Sequence, residues 1–443
     1  MELVKFDDLD FDRLPRRIPT NCYTSREYAE RERELIWMRV WQIAGRVDEL
    51  PEPGDWKEYR IFDQSYLVVR GNDGEIRGFV NACRHRGNIL CREAKGHSVR
   101  FTCPYHLWTY ALDGRLMAVS RPDLVGPIDK SEHGLLRVPV ECFAGFIFLN
   151  PDPDAAPLAE FLGKEVMDRL TPYHLEQMIP VGMDVRESLD CNWKVVMDAF
   201  QEGYHIQGIH PELLSVLVID TAKNRFGFFG DHGVAVAPFE VANVAGFGPE
   251  QQIEGIRKLP ETFPGVAGVM PRFEELVGAY RNQDGTLRFP EGVTPRRLLQ
   301  QATRDTFTKH GFDVSGLTDD QMTDNQGWLL FPNFFMTIRA GECHVIMSVP
   351  HPDGDPHRCI WHVTSYMWLL PALREQFRVQ LTEVEEPGSF EYFLALQQDY
   401  EQMPRQQKGL RNRALEFMSL AKEEVCIANY HSVLDRYLGE ARS

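Results

Sequence analysis

The sequence predicts an α+β protein with a small all-β domain followed by a larger domain of mixed helices and strands. At 443 residues the chain exceeds one typical domain, and 43% hydrophobic residues supply ample material for a core. From about Trp56, short β-type runs alternate with turns such as 72–74. Later strand-like runs lead to a long C-terminal helix, predicted from about Arg411 to Leu438.

Changes of pattern along the chain predict the domain boundaries. Residues 1–45 form an N-terminal segment that we expect to be helical and to pack on the second domain, because 26–44 alternate charged and apolar residues. Residues 46–155 form the all-β domain and residues 156–443 the second domain, with a border marked by the proline-rich run 150–157. The predicted buried stripe of the first segment is Ile36, Trp37, Val40 and Trp41.

Composition excludes some classes of partner. A formal net charge of −17 repels nucleic acid and anionic membranes, so we expect neither as a partner. No stretch approaches the ~20 apolar residues of a membrane span, and the first residues lack a cationic-then-apolar signal pattern. We therefore expect a cytoplasmic location.

Four potential metal ligands occur as two short pairs in the first quarter of the chain. Cys83 and His85 form C-x-H, Cys103 and His106 form C-x2-H, and 17 residues separate the pairs. That length accommodates two antiparallel strands, so the two tight loops can meet around one metal centre. Two thiolates on one iron and two imidazoles on the other form a Rieske [2Fe–2S] cluster.

Two other interpretations use residues of the same region. A tetrahedral zinc site would use the same four atoms, but zinc pairs usually combine like ligands, whereas each pair here mixes a thiol and an imidazole. Cys91 lies between the pairs and is a rival ligand, but its use would break the two-loop geometry. The cysteines expected to be reduced thiols are Cys22, Cys91, Cys142, Cys191, Cys343, Cys359 and Cys426.

A second group of potential ligands lies further along the chain. Glu202 precedes His205 by three residues, so on a helix both can point into one cavity. Pro211 disfavours helical angles at His210, which is therefore expected where the helix breaks. Two imidazoles and a carboxylate form the facial triad of non-haem Fe(II) oxygenases, although such histidines can also serve packing alone. The upstream cluster favours the metal site, because a carrier of single electrons needs an acceptor.

With both motifs present, the sequence resembles the catalytic α subunit of Rieske non-haem iron aromatic-ring-hydroxylating oxygenases over nearly its whole length. It departs from the family pattern N-W-K-x3-E-N-F-x-[ED]-x-Y-H-x4-H-P at Asp198, where Glu is common, and at Ala199, where Asn is common. Both departures leave the candidate iron ligands intact. The matching residues are Asn192, Trp193, Lys194, Phe200, Glu202, Tyr204, His205, His210 and Pro211.

The resemblance also implies a third iron ligand, an acidic residue near the start of a late helix. Segment 396–409 resembles that helix and selects Asp399, with Glu401 as the local rival. Asp399 is favoured because we expect it in the first helical turn, where the helix dipole favours a carboxylate. Pro404 lies within the expected helix, so the exact start and end of that helix stay open.

For Glu202 the resemblance implies a different function. In relatives an acidic residue at this place bridges the iron-ligating histidine of one subunit to a cluster-ligating histidine of the next. Glu202 would then join His205 to His106 of the partner subunit and orient both rings. Electrons would cross between subunits, which implies a homotrimer arranged head to tail.

The resemblance further implies a helix-grip second domain, in which an antiparallel sheet holds the long C-terminal helix, and two cofactors, a [2Fe–2S] cluster and mononuclear Fe(II). The implied partners are O2, a small organic substrate and a separate NAD(P)H-dependent reductase, with or without a ferredoxin, because the chain shows no glycine-rich nucleotide-binding loop. Basic residues around the cluster loops are either solvated or a rim that steers an acidic electron donor. They are Arg84, Arg86, Arg92, Lys95 and Arg100.

The implied activity is that of a terminal oxygenase that hydroxylates or demethylates an aromatic or polycyclic substrate. A quaternary ammonium substrate is the alternative, because Glu202 resembles that subgroup and aromatic residues can hold a cation. A Rieske electron carrier without oxygenase chemistry is the alternative from another class, and the long second domain argues against it. Several phenylalanines between 226 and 322 are either pocket wall or a second core. They are Phe226, Phe228, Phe229, Phe239, Phe247, Phe263 and Phe273.

Overall fold

A computed structural model of the chain describes residues 2–215, 220–239 and 248–439. The chain forms two compact units, and the predicted domain boundaries at 45/46 and 155/156 stay a prediction. The larger unit comprises Met1–Tyr28, Leu162–Val349 and Pro356–Ser443, and the smaller unit comprises Ala29–Phe161 and Pro350–Asp355. No helix within the described ranges combines the length and the apolar character needed to cross a membrane.

The described residues form 22 strands and 12 α-helices. The strands are β1 (Val4–Lys5), β2 (Arg17–Pro19), β3 (Gln42–Arg46), β4 (Asp55–Ile61), β5 (Gln64–Arg70), β6 (Ile76–Val80), β7 (Lys95–His97), β8 (Phe101–Thr102), β9 (Thr109–Tyr110), β10 (Leu116–Ala118), β11 (Arg137–Val138), β12 (Val140–Phe143), β13 (Phe146–Leu149), β14 (Ile179–Leu189), β15 (Arg225–Phe229), β16 (His232–Ala237), β17 (Asn325–Leu330), β18 (Phe334–Arg339), β19 (Glu342–Pro350), β20 (Cys359–Met367), β21 (Thr382–Glu383) and β22 (Phe417–Ser419). The helices are α1 (Asn21–Thr24), α2 (Arg26–Glu32), α3 (Pro122–Val125), α4 (Leu158–Leu170), α5 (Trp193–Phe200), α6 (Ile206–Ile209), α7 (Pro249–Thr262), α8 (Met270–Gly278), α9 (Pro295–Lys309), α10 (Pro371–Phe377), α11 (Leu394–Leu410) and α12 (Val425–Leu438).

The larger unit is built on a nine-stranded sheet in the order β1-β15-β16-β17-β18-β19-β20-β14-β21. Strand β14 runs antiparallel to β20, with Ile179 opposite Met367 and Leu189 opposite Cys359. Helix α5 contacts β18 and β20, and the C-terminal helix α12 contacts β16. A largely antiparallel sheet that holds helices against it confirms the predicted α+β class.

The C-terminal helix is shorter than predicted. Helix α12 begins at Val425 and not near Arg411. Residues Phe417–Ser419 instead form β22, which pairs with β2, and the side chain of Glu424 accepts a hydrogen bond from the Ala421 N–H just before the helix. Pairing with a distant strand satisfies backbone groups that a longer helix would have satisfied locally.

The predicted N-terminal helix also ends early. Helix α2 stops at Glu32, a single π-helical turn covers Arg33–Trp37, and β3 begins at Gln42. The burial of the apolar stripe is confirmed, because all four of its residues are at most 2% exposed. They are Ile36, Trp37, Val40 and Trp41.

The smaller unit consists mainly of strands, as predicted. A five-stranded sheet in the order β11-β6-β5-β4-β7 is accompanied by the three-stranded sheets β12-β13-β3 and β10-β9-β8. Its core contains Trp56, Phe79 and Trp108 together with Cys83 and Cys103. The two cysteines of the cluster motif therefore lie on loops that are fixed to a packed core.

Helices α7, α8 and α9 share a hydrophobic core of their own. Phe273 is buried in that core, and Phe239 and Phe263 pack against it. Phe226 and Phe229 are buried on β15. The burial of these five side chains favours the interpretation as a hydrophobic core over the interpretation as a pocket wall. Phe247 lies outside the described residues.

Candidate metal centres

Two loops of the smaller unit share one backbone arrangement. In each loop the backbone N–H of the cysteine donates a hydrogen bond to the carbonyl of the residue five positions later. The N–H of the residue four positions after the cysteine donates a hydrogen bond to the cysteine carbonyl. The bonds are Cys83 N–H to Asn88 O, Gly87 N–H to Cys83 O, Cys103 N–H to Trp108 O and Leu107 N–H to Cys103 O, at 2.8–3.0 Å. Gly87 and Leu107 occupy equivalent positions, and both have positive φ, of 71° and 61°. Glycine adopts this conformation freely, but for Leu107 it costs roughly 1–2 kcal/mol.

The thiols of these loops lie inward and the imidazoles lie outward. Cys83 and Cys103 are 4% and 1% exposed, whereas His85 is exposed and His106 is half-buried. The two imidazole rings lie 4.6 Å apart, and His85 stacks on Trp108 with the rings 7° from parallel. Two buried sulfur donors beneath two outward imidazoles fit a cluster with one iron bound by thiolates and the other by imidazoles.

Tyr110 is a further residue of this centre, which the motif analysis missed. Its hydroxyl oxygen accepts a hydrogen bond from the Arg84 N–H at 3.0 Å and lies 3.2 Å from the Sγ of Cys83. A thiolate that binds iron has no proton to donate, so in the cluster-loaded protein the Tyr110 hydroxyl donates to the sulfur. Burial raises the pKa of the Cys83 thiol, and the hydrogen bond with Tyr110 opposes that shift.

The rival Cys91 belongs to the hydrophobic core of the smaller unit. Its backbone N–H donates to the Asn81 Oδ1 at 3.0 Å, and its carbonyl accepts from the Asn81 Nδ2 at 2.8 Å. Burial raises the pKa of the Cys91 thiol to about 12, with a smaller contribution from Glu58. A core thiol held in this way has the properties of a structural cysteine.

In the larger unit the side chains of His205, His210 and Asp399 converge. One ligand atom of each residue lies within 4.8 Å of the other two. The Asp399 Oδ1 is 3.0 Å from the His210 Nε2 and 3.8 Å from the His205 Nε2. The three residues predicted to hold iron are therefore close enough to bind one ion.

The two histidines flank a short helix. His205 immediately precedes α6, and His210 follows it with φ −124° and ψ 51°, so His210 lies at the helix break, as predicted. Helix α5 ends at Phe200, and therefore the expectation that Glu202 and His205 share a helix face is wrong. A turn brings them together, in which the Glu202 Oε2 accepts hydrogen bonds from the backbone N–H groups of Tyr204 and His205.

Helix α11 supplies the carboxylate. Asp399 is 7% exposed, whereas Glu401 is exposed and pairs with Arg405 at 3.0 Å. The structure therefore brings Asp399, and not its rival, to the histidines. The predicted first-turn position of Asp399 is wrong, because α11 begins at Leu394, and the helix continues through Pro404.

Each imidazole is held through its Nδ1. The Nδ1 of His205 is 2.5 Å from the Glu202 Oε1, and the Nδ1 of His210 is 2.6 Å from the Gln398 Oε1. Carboxylate and amide oxygens only accept, so in both neutral rings Nδ1 carries the proton and Nε2 presents a lone pair. Two lone pairs and the Asp399 carboxylate then face one another without a donor, and a cation removes that repulsion. The donor set fits Fe(II), which accepts two imidazoles and one carboxylate.

Burial and neighbouring charges raise the pKa of two groups of this site. Burial raises the pKa of the Asp399 carboxyl, and the charges of His205 and His210 oppose the shift. Burial lowers the pKa of His205, but Glu202 and Asp399 outweigh it and raise the pKa. Both shifts have the same origin, a carboxylate that is held out of water beside imidazoles.

Comparison with known proteins identifies the family. The profile described as "Ring hydroxylating alpha subunit (catalytic domain)" matches residues 167–440, more than half of the chain. The chain belongs to the ring-hydroxylating alpha subunit family. The profile "Rieske [2Fe-2S] domain" matches residues 40–128 of this alpha subunit. The predicted cofactors, a [2Fe–2S] cluster and mononuclear iron, are thereby confirmed, and the zinc interpretation is set aside.

Curated relatives of this alpha subunit are oxygenase subunits. It is 36% identical over 201 residues to the glycine betaine monooxygenase oxygenase subunit of Chromohalobacter salexigens, a match to 45% of this chain and 44% of the relative. It is 35% identical over 211 residues to the anthranilate 1,2-dioxygenase large subunit of Acinetobacter baylyi, with 45% and 44% covered. The chain thus matches about half the length of these curated relatives.

The fold of this alpha subunit resembles that of a solved quaternary ammonium Rieske monooxygenase, which is described in terms of carnitine oxidation by gut microbiota and inter-subunit electron transfer. The match has a TM-score of 0.65 at 20% sequence identity and covers 98% of this chain and 100% of the other. The likeness confirms the predicted combination of a Rieske domain with a helix-grip catalytic domain. The functions of the individual site residues stay predictions.

Proposed function

We propose that this alpha subunit is the terminal oxygenase of a multicomponent system, which uses O2 and reductase-supplied electrons to hydroxylate or demethylate an organic substrate. The convergence of His205, His210 and Asp399 in a chain that also carries a Rieske domain is the observation that supports it. Iron(II) at that site supplies the binding and activation of O2, and the cluster supplies single electrons. The alternative, an electron carrier without oxygenase chemistry, would have no use for this second donor set.

The proposal gives each candidate residue one function. Cys83 and Cys103 bind one iron of the cluster, and His85 and His106 bind the other. His205, His210 and Asp399 bind the mononuclear iron. The inward thiols, the outward imidazoles and the proton positions fixed by Glu202 and Gln398 support these assignments.

Glu202 is proposed to connect the two centres of neighbouring subunits. Its Oε1 holds the His205 ring, and the adjacent Tyr204 is 50% exposed. Beside His106 the apolar surface of Tyr105 and Leu107 is likewise exposed. A contact that places His106 of the partner subunit against Glu202 would bury these exposed side chains. Repeated around a threefold axis, this head-to-tail contact closes a homotrimer, which the molar mass from light scattering tests.

The electron donor is proposed to be a separate NAD(P)H-dependent reductase, used directly or through a ferredoxin in the cytoplasm. Its docking surface is the basic rim around the cluster loops, all five members of which are exposed on a chain of net charge −17. Opposite charge accelerates association at low salt. Unchanged electron transfer at low salt after two rim residues are neutralised would remove this surface from the proposal. The rim comprises Arg84, Arg86, Arg92, Lys95 and Arg100.

Aromatic or polycyclic compounds are the first proposed substrate class, supported by the anthranilate 1,2-dioxygenase relative. A quaternary ammonium compound is the second candidate, supported by the glycine betaine monooxygenase relative at nearly the same identity. Product analysis separates them, because demethylation releases formaldehyde, whereas ring hydroxylation leaves a hydroxylated ring. Anthranilate and glycine betaine, each with O2 and a surrogate reductase, form the initial pair of substrates.

The amounts of iron and acid-labile sulfide bound per chain, measured on the purified protein, test the proposal. The oxygenase is expected to hold three irons and two sulfides per chain, and His205→Ala or His210→Ala is expected to leave two irons and an unchanged Rieske electron paramagnetic resonance signal. Two irons in the parent protein, after anaerobic loading with Fe(II), would indicate an electron carrier instead.

A further inference from the structure

The His210 ring is held between two consecutive residues of α11. Its Nδ1 is 2.6 Å from the Gln398 Oε1, and its Nε2 is 3.0 Å from the Asp399 Oδ1. His210 is 2% exposed, so water does not replace either partner. One helix therefore contributes both a candidate ligand and the group that fixes the neighbouring ligand ring.

The orientation of the Gln398 amide decides which nitrogen of His210 is available. With Oε1 towards the ring, Nδ1 must carry the proton, and Nε2 presents its lone pair towards Asp399. With the amide reversed, its N–H group would donate to Nδ1, the proton would move to Nε2, and Nε2 could not bind a metal. The oxygen-inward orientation is thus the one compatible with ligation by His210.

The position of Gln398 is itself fixed by packing. Tyr400, two residues later on α11, donates a hydrogen bond from its hydroxyl group to the Glu187 Oε2 at 2.9 Å. Further along the same helix, the Gln407 Oε1 accepts a hydrogen bond from the Asn192 N–H at 3.0 Å, at the start of α5. These bonds hold α11 against β14 and α5, so Gln398 reaches His210 from a rigid element.

We propose that Gln398 is a positioning residue for the mononuclear iron site, which selects the Nε2-ligating tautomer of His210 by accepting its Nδ1 proton. The inference rests on the proposed function, because it assumes that His210 binds iron. It gives Gln398 the same task at His210 that Glu202 performs at His205, with a neutral acceptor in place of a charged one. Loss of such a partner typically weakens metal binding by about 10- to 100-fold.

Two substitutions at this position separate hydrogen bonding from packing. Gln398→Leu removes the acceptor, and Gln398→Glu keeps an acceptor that cannot donate when ionised. The dissociation constant for Fe(II) is measured anaerobically on the full chain by competition with a chelator. The electron paramagnetic resonance spectrum of the nitric oxide adduct reports the geometry of the iron site. Gln402→Leu, at an exposed position of α11, is the matched control.

We expect Gln398→Leu to weaken Fe(II) binding by about 10- to 100-fold and to alter the nitric oxide spectrum, with the Rieske signal unchanged. Gln398→Glu should bind Fe(II) at least as tightly as the parent protein, and Gln402→Leu should match it. If Gln398→Leu has the same Fe(II) affinity and the same nitric oxide spectrum as the parent protein, the inference is overturned. If that variant also loses the Rieske signal through misfolding, Gln398→Glu decides, and a tenfold loss of affinity there would overturn it.

His210→Ala distinguishes this inference from the proposed function. Loss of the third iron in His210→Ala together with unchanged binding in Gln398→Leu removes only the assignment of Gln398. Retention of the third iron in His210→Ala removes the ligand assignment and the inference with it.

Discussion

The hydroxyl group of Tyr110 lies 3.2 Å from the Sγ of Cys83 and accepts a hydrogen bond from the Arg84 N–H. A hydrogen bond to a cluster sulfur favours the reduced, more negative state and raises the reduction potential. We expect Tyr110→Phe to lower the potential by about 40 mV, the equivalent of about 1 kcal/mol for one electron. A redox titration followed by the Rieske electron paramagnetic resonance signal measures the shift.

Tyr59→Phe is the control for this substitution. It removes a buried hydroxyl of the same unit, which donates to the Gln42 Oε1 at 2.8 Å and belongs to no loop of the cluster. The potential of Tyr59→Phe should equal that of the parent protein. An equal shift in both variants would indicate a general effect of packing and would refute the direct hydrogen bond.

A second prediction concerns Glu202. Its carboxylate accepts the Nδ1 proton of His205, and Glu202→Gln keeps an oxygen that can do the same. Its amide nitrogen takes the place of Oε2 and cannot accept hydrogen bonds from the Tyr204 and His205 N–H groups or from His106 of the partner subunit, so the proposed connection is lost. We expect the cluster to stay loaded, and in chains that hold the mononuclear iron we expect reoxidation of the reduced cluster to slow by about tenfold or more. Stopped-flow absorbance after mixing with O2 and substrate measures the rate.

The exposed Glu401 on α11 offers the matched control. Glu401→Gln should reoxidise at the parent rate. Parent-like kinetics in Glu202→Gln as well would contradict an electron-transfer function for Glu202 and leave it the task of holding His205.

The candidate ligands could be predicted from sequence because their spacing is short and chemical. The cysteines and histidines of the cluster lie within 24 consecutive residues, and His210 follows His205 after only four intervening residues. Gln398 and Tyr110 could not be found in this way, because their contacts depend on folding. Gln398 meets His210 across 188 residues, and Tyr110 meets Cys83 across 27.

Helix ends were less predictable than ligands for the same physical reason. The local sequence of residues 411–424 does not show that they lie outside the helix. In the structure this follows from the pairing of β22 with β2, which lies nearly 400 residues earlier in the chain. The predicted placement of Asp399 in a first helical turn was wrong because α11 already begins at Leu394, after Phe393 in an extended conformation. The carboxylate nevertheless reaches the histidines, since the whole helix is fixed by Tyr400 and Gln407.

A third prediction concerns Cys91, the rival ligand. Burial raises the pKa of its thiol to about 12, so at pH 8 roughly one thiol in ten thousand is the reactive thiolate. We expect Cys91 to resist alkylation by iodoacetamide up to about pH 10, and Cys91→Ala to keep the complete cluster signal. Cys103→Ala is the contrasting variant and should lose that signal. A cluster lost in Cys91→Ala, with the rest of the fold intact by circular dichroism, would restore Cys91 as a ligand.

The last prediction concerns a buried ion pair at the turn between β18 and β19. The Glu342 carboxylate lies 2.9 Å from both the Arg339 guanidinium and the His344 Nε2. Burial raises the pKa of the Glu342 carboxyl, but Arg339 and His344 outweigh burial and lower the pKa to about 2. Because the folded-state pKa is below the unfolded value, the stabilisation is present above about pH 4.5 and is lost as the pH falls towards 2.

Glu342→Gln should therefore lower the free energy of unfolding by about 3 kcal/mol at pH 7. The difference from the parent protein should shrink to roughly half near pH 3, because the parent carboxylate itself becomes protonated on unfolding there. Urea unfolding at both pH values measures the difference. Glu383→Gln, which removes an exposed partner of Arg186, is the control and should cost less than about 1 kcal/mol. An equal loss at both pH values would mean that Glu342 stabilises the turn by shape and hydrogen bonding alone, independently of its charge.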